Sequence, residues 1–458
     1  MRFAGRQGWT YICSGVVVAG LLGVVPAPAA AQAPASGGRA TFTKDIAPIL
    51  QRSCENCHRA GGVAPMALST YEEVRPWARA IKQKTTAREM PPWFIEKNIG
   101  IQKFKDDPSL SDEEIALVAQ WVDSGAPAGN PADMPPPRRY ADAAGWTIGE
   151  PDLIVSSPTI TVKAVGPDFH KEIGPSPTRL TEDRYVAAVE VKETRLGGDF
   201  KQTGTRKSGD LNYFTLHHAG IRALHFDESQ SGADFYLIYE LGQNATYYPP
   251  DTGVILKAGS ELTFTIHMHS IGKEMPVRVD VGFKLHPKGY RPKYLQSGYN
   301  TGVSGGGVSE DLVIPAGKDN VRFDYTYQLR HHVKMTTFEP HLHMSGKRMC
   351  VEAQYPDGRR EILNCSGYNH NWVKVYMYDD DVAPLLPKGT IMRVIAWYNN
   401  TASNPRNVEP RNWKTWGSRS IDDMCTFLPK MTVLTDEQFA EELATRRAKQ
   451  QGARTQQQ

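Results

Sequence analysis

The chain has 458 residues, with 53 Lys and Arg against 50 Asp and Glu, and a formal charge of +3. That length accommodates two to four domains, and the near-balance of charge gives no reason to expect nucleic acid or an acidic membrane surface as a partner. With 40 Gly, 32 Pro and 9% aromatic residues, loops and β-structure are expected to dominate.

Residues 1–31 read as a signal peptide. Arg2 and Arg6 make a basic start, Ile12 to Val25 is apolar but short for a membrane span, and Ala29-Ala30-Ala31 and Ala31-Gln32-Ala33 offer small-residue cleavage sites. No later stretch is long and apolar enough for a transmembrane helix. The mature protein is therefore expected to be soluble and exported, periplasmic or secreted. Cys13 leaves with the signal, and Cys54, Cys57, Cys350, Cys365 and Cys425 remain. In an oxidising compartment each needs a fate.

Residues 41–128 form the first expected domain, after a short Pro/Gly/Ser leader. Its centre is Cys54-Glu-Asn-Cys57-His58. Two thiols at this spacing, followed at once by an imidazole, form the signature of covalent haem c attachment, with His58 as axial ligand. The same spacing also occurs in redox and zinc sites, and the export signal weighs for haem. Helices are expected around it: Lys44 to Arg52, one opened by a Ser69/Glu72 capping box and running through Val74, Trp77 and Ile81, and one opened by Ser111/Glu114 and closed by Gly125. This order resembles a class I c-type cytochrome. The resemblance implies a Met as second axial ligand, with Met90 in Met90-Pro91-Pro92-Trp93 in the expected place and Met66 as the second choice.

Residues 129–144 are Pro-rich and read as a semi-rigid linker. From 145 to about 435 short alternating runs recur, among them Arg184–Val191, Phe235–Tyr239, Glu261–Met268, Val277–Leu285, Val321–Leu329, Val373–Tyr378 and Thr390–Tyr398. Two all-β sandwiches account for them, 145–303 and 304–434, with the break in the Gly-rich stretch 297–307. Cys350 and Cys365 flank Tyr355-Pro-Asp-Gly-Arg359, a strong turn, and are predicted to form a cross-strand disulfide. Cys425 is left over. Residues 435–458 read as a tail, opened by a Thr435/Gln438-capped helix and then polar.

Two histidine groups stand out in the β-region. In Leu211–His218, the adjacent His217 and His218 follow a strand-like run, and Phe264-Thr-Ile-His267-Met-His269 lies downstream. Three imidazoles from two neighbouring strands suit copper, and ligand type alone also admits zinc. Adjacent strand residues face opposite ways, so His217 and His218 share one ion only if the backbone twists. In Glu339-Pro-His341-Leu-His343 the two imidazoles are expected on one face of a strand. Met424, in Asp422-Asp423-Met424-Cys425, offers a thioether suited to Cu(I). A second pair, His331-His332, is given less weight.

His-His, then a strand His, then His-x-His, then Asp-Asp-Met-Cys, in that order, resembles the copper type II, ascorbate-dependent monooxygenases, over about residues 145–430. The resemblance implies two jelly-roll-like sandwiches with one copper each. It implies His217, His218 and His267 (His269 as the alternative) around the electron-transfer copper. It implies His341, His343 and Met424 around an O2-activating copper. The expected activity is insertion of one oxygen of O2 into a C–H bond of a small-molecule or peptide substrate. The haem domain would pass electrons from a periplasmic donor. Alternatives are a non-catalytic haem/copper carrier, or a dehydrogenase passing electrons outward through haem to a periplasmic acceptor. The chain departs from the peptide-hydroxylating members at Glu339, Thr426 and Leu428, where those enzymes anchor a substrate carboxylate with Arg, Asn and Tyr. The acidic Glu339 argues against such a substrate.

Overall fold

The protein is described here by a computed structural model, for residues 39–59, 64, 66–138, 145–167, 169–197, 215–224, 235–240, 245–249, 251–297, 311–417 and 419–456. The expected signal peptide, the end of the linker, the run from Leu211 to Phe214 and most of the Gly-rich break lie outside these residues. Among the described residues no helix is long and apolar enough to cross a membrane.

Three hydrophobic cores organise Ala40–Gln458. The first is helical. A π-helical turn, Phe42–Ile46, runs into the helix Ala47–Ser53, and the helices Ala78–Thr86 and Asp112–Asp123 pack with it around Phe42, Ile46, Leu50, Val118 and Trp121. Ser111 and Glu114 form the expected capping box. The other box sits one residue later than expected. Thr70 caps the helix Tyr71–Val74, because the Glu73 carboxylate accepts from the backbone N–H of both Ser69 and Thr70.

The other two cores are β. One lies between the four-stranded sheet of Phe169–Pro177, Glu261–Met268, Leu216–Leu224 and Tyr236–Glu240 and one end of a ten-stranded sheet. The other lies between the far end of that long sheet and a five-stranded sheet containing Gly346–Gln354, Arg360–Gly367, Ile391–Asn399 and Asp319–Gln328. Among the described residues the strands pair antiparallel apart from Tyr294–Ser297 against Thr252–Leu256, and the isolated bridge between Trp416 and Asp423 is also parallel. Tyr294–Ser297 also pairs with Met431–Leu434, so it stitches the two ends of the long sheet together. The two β-regions thus share a wall of backbone hydrogen bonds.

The first domain is less self-contained than its expected span of 41–128. Ile95–Gly100 pairs with Arg360–Gly367 and forms the edge of the five-stranded sheet. Phe104 bridges to Tyr378, the Trp93 ring meets Tyr376 at 4.8 Å, and Glu96 pairs with Arg348. Ile95-Glu-Lys-Asn-Ile99-Gly100 does not alternate apolar with polar residues, and its partner strand lies far along the chain, so nothing local marks it as a strand. The tail is a docked helix, Asp436–Gln456, opened by the Thr435/Gln438 box. Glu441 pairs with Lys293, Glu442 with Lys334, and Arg446 donates to the Ala383 carbonyl. His332 stacks on Phe439, accepts at Nδ1 from the Lys388 N–H, and faces Asp436, a structural role.

Cys350 and Cys365 are bonded, directly opposite each other across the hairpin that turns at Gly358. Cys425 is a buried thiol. Closing a loop of this length restricts the unfolded chain by roughly 3 kcal/mol. The Cys350→Ala/Cys365→Ala double variant is expected to lower the urea midpoint of the oxidised protein to that of the reduced wild type. Equal midpoints for oxidised variant and oxidised wild type would refute a stabilising bridge.

Candidate metal centre

The first histidine group is set by strand register. His267 lies on the central strand of three, paired with His170 on one side and His218 on the other. Directly paired residues put their side chains on the same face, a few ångströms apart. The ring centroids accordingly lie 4.1 Å (His170–His267) and 4.7 Å (His218–His267) apart, and Nδ1 of His267 is 3.0 Å from Nε2 of His218. One nitrogen from each of His170, His218 and His267 falls within 4.8 Å of the others.

A β-bulge reconciles His217 with His218. His267 pairs with His218 but Met268 pairs with Leu216, which leaves His217 as the extra residue. The His217 ring reaches 5.2 Å from His267 and 5.4 Å from His218. His269 flanks the group, its ring 6.0 Å from His217, while His267 lies buried inside it.

The second group forms differently from expectation. His341 closes a two-residue strand, Pro340–His341, and His343 lies just beyond it, outside any strand. Pro340–His341 pairs with Thr426–Phe427, His341 facing Thr426. Continuing that register sets His343 against Met424 and Glu339 against Leu428, and the Leu428 N–H indeed donates to the Glu339 carbonyl. The buried Asp423 carboxylate accepts from the backbone N–H of His343, Ser345 and Met424, and so ties the two segments together. The Tyr398 hydroxyl donates to the Met424 carbonyl.

The two groups meet. The His218 and His341 rings are 6.2 Å apart, and His341 and His343 5.5 Å apart. His370, buried in the loop after the disulfide hairpin, lies 5.6 Å from His343 and 5.5 Å from His217. Five imidazoles thus close a ring, with His170 and His267 beside it. Burial, and then the neighbouring imidazoles, push three of the buried histidines down in pKa, to about 3 for His341 and His343 and about 2 for His370. His218 is likewise well below its ordinary value. These four rings are therefore neutral, the form that binds metal. Nδ1 of His341 and of His343 is buried without a hydrogen-bond partner among the described residues. Such an atom costs about 1–3 kcal/mol, and a metal ion bound there would satisfy it.

Burial raises the Asp423 carboxyl to about 6 despite its three donors. Burial also raises Glu339 and lowers Lys430, whose opposite charges partly offset it. Glu339 therefore lacks the firm negative charge that the sequence implied, and the case against an anionic substrate weakens.

In the Cys54–His58 motif both cysteines are half-buried and unbridged. The His58 Nδ1–H donates to the Met66 carbonyl at 3.2 Å, since a carbonyl can only accept. That bond fixes the tautomer with a lone pair on Nε2, as an axial ligand requires. Met66 also packs against the helical core with Cys54. Met90 instead lines a cavity of about 570 Å³ with Trp93, Phe94 and Leu110.

His170 and His370 were not singled out in the sequence. Each is a lone His there, and only the folded register gives it partners. No family model matches the chain, and no curated protein matches it. Solved structures with some likeness include a crystal structure of a two-domain protein of unknown function from Bacteroides fragilis. It is 12% identical, with 59% of this chain and 86% of that chain covered, at a TM-score of 0.15. Another is a structure of infectious bursal disease virus, Gt strain, 10% identical with 61% and 70% covered, at a TM-score of 0.11. Likeness this slight carries no argument about fold or function.

The pKa pattern makes the metal-free protein acid-sensitive. A histidine depressed in the folded state takes up its proton first when unfolded, near its ordinary value of about 6.5. Stability from His218, His341, His343 and His370 is therefore complete above about pH 6.5 and is lost as pH falls toward 3. The raised carboxyls of Asp423 and Glu339 slope the other way, two groups against four. The urea midpoint of the metal-free protein is expected to rise from pH 4.5 to 6.5 and flatten above. A midpoint that falls over that interval would refute buried neutral imidazoles.

Proposed function

We propose that the protein is an exported haem- and copper-containing oxidoreductase, an O2-dependent monooxygenase acting on a C–H bond, in line with its resemblance to the copper type II monooxygenases. The observation that supports the reading is the meeting of the two histidine groups in one cluster, with the backbones of His343 and Met424 both tied to the buried Asp423 carboxylate. Copper, when bound, would supply one-electron chemistry and an O2-binding position. A covalent haem at Cys54, Cys57 and His58 would supply electrons one at a time. Inserting one atom of O2 into a C–H bond and releasing the other as water takes two electrons and two protons from outside the substrate, so a separate donor is needed.

The chain's own residues then have distinct tasks. Burial keeps His341 and His343 unprotonated, so their nitrogens stay available as ligands near neutral pH. The thioether of Met424 favours the reduced metal. Asp423 holds His343 and Met424 in fixed relation through backbone N–H groups, which a loop without it would leave to wander. His58, oriented by Met66, offers Nε2 to iron. Export and a periplasmic or secreted location belong to the same reading.

The depth of His267, His343 and His370 also favours a second reading, an electron carrier without turnover, and one experiment separates the two. Protein matured in a periplasm is expected to hold one iron and two copper ions. Met424→Ala and His341→Ala are each expected to lose one copper while keeping the haem. Under 18-O2 with an electron donor, a panel of C–H substrates is expected to yield a labelled product. Full metal loading with reversible reduction and no label would leave the carrier reading standing, and no copper at all would sink both.

A further inference from the structure

The sequence places His217, His218 and His267 in the first site. The fold adds an imidazole to that set from a strand with no histidine motif. His170 stands at the second residue of Phe169–Pro177 and is the register partner of His267 on one edge of its strand, as His218 is on the other. We infer that His170 is a ligand of the first metal site, which it forms with His218 and His267 on three adjacent strands, and that the site takes copper.

Three features bear on this. The convergence is at the level of ligand atoms, one nitrogen from each of the three rings within 4.8 Å of the other two; bonds of about 2 Å to one ion would draw them to roughly 3–4 Å, a contraction that small ring rotations supply. The rings come from strands rather than loops. His267 is fixed by pairing along seven positions with the His170 strand and eight with the His218 strand, so the three cannot separate without breaking the sheet. Finally, the Ser420 hydroxyl, from the loop that leads to Met424, lies 3.4 Å from Nε2 of His267. This contact brings an orienting partner from the second β-region to the central imidazole, as outer partners do for metal-bound histidines. A donor set made only of imidazoles suits copper, which binds such sites more tightly than its first-row neighbours. His217, displaced by the bulge toward His370, then lies between this trio and the second group.

The inference rests on the proposed copper chemistry only for the choice of metal, and its test does not require turnover. The full chain, stripped of copper and kept in its haem-loaded form, is titrated with Cu(II). Stoichiometry, affinity and the electron paramagnetic resonance spectrum are followed. Wild type is expected to bind two copper ions. His170→Ala is expected to lose one, or to bind it more weakly by well over the ~10–100-fold that loss of an outer partner costs, with altered nitrogen hyperfine splitting. His170→Gln keeps a polar side chain in the ladder and should fail in the same way. Two ions at unchanged affinity and spectrum in either variant would overturn the inference. Where a variant misfolds by circular dichroism, the wild type still decides. His170 is half-exposed, so copper should slow its carbethoxylation, read by peptide mass spectrometry, and an unchanged rate would overturn the assignment. Zinc bound in place of copper, with copper refused, would overturn the choice of metal. Copper binding that depends on His170 without oxygenation of any substrate would leave the ligand standing and remove the monooxygenase reading.

Discussion

The strand of His267 is held by hydrogen bonds on both edges, and the first histidine group depends on the register of those two ladders. Side chains alternate along a strand, so a slip of one residue on either flank would turn His170 or His218 to the opposite face. The buried apolar residues of the flanking strands, Ala219, Ile221 and Ala223 on one side and Ile173 on the other, make such a slip costly, because it would carry them out of the core. Packing of ordinary hydrophobic residues thereby fixes the position of the imidazoles. The ladder to Phe169–Pro177 shifts register between Leu262 and Phe264, well before the histidines, and the other ladder bulges at His217. That bulge lets two adjacent histidines approach one strand partner, which a regular strand forbids.

The second group is built by another device. Its histidines sit where a short strand gives way to a turn, and no long ladder holds them. Asp423 does that work with three backbone N–H groups. A buried carboxylate is expensive unless its oxygens are paired, and here the pairing partners are the segments that must be aligned. The long shared sheet then brings the two devices together. With Tyr294–Ser297 paired into both ends, the two β-regions have a common backbone wall, and ring contacts such as His218–His341 follow from it.

Some of this was legible in the sequence because it is local. The Ser111/Glu114 and Thr435/Gln438 caps, the hairpin around Asp357-Gly358 with its disulfide, and the strand Glu261–Met268 each depend on residues close together in the chain. The order of the His217-His218, His267 and His341-x-His343 motifs led to an expectation of two separate sites, one in each β-region, and the fold brings these histidines into one cluster. What stayed hidden is non-local. His170 has no patterned neighbour and acquires meaning only when Phe169–Pro177 pairs with Glu261–Met268. His370 lies in a loop. Glu339 read as a charge, because a sequence shows the residue and leaves out its burial. The Ile95–Gly100 strand has no alternation to mark it, and its partner lies far along the chain.

That strand changes how the proposed haem segment relates to the histidine cluster. A Pro-rich linker from 129 would by itself leave the helical core free to move against the β-regions. The chain instead docks earlier, through backbone pairing of Ile95–Gly100, the Glu96–Arg348 ion pair and the Trp93–Tyr376 ring contact. The partner strand, Arg360–Gly367, is the one tied by Cys365 and followed by the loop that carries His370. Further along that loop, Lys374 lies near enough to Cys57 for its charge to oppose the rise that burial imposes on the thiol. One stretch of about ten residues thus runs from the docked edge strand past the imidazole cluster to the neighbourhood of the Cys54–His58 motif. The backbone ladder at Ile95–Gly100 is what ties the helical core to that stretch.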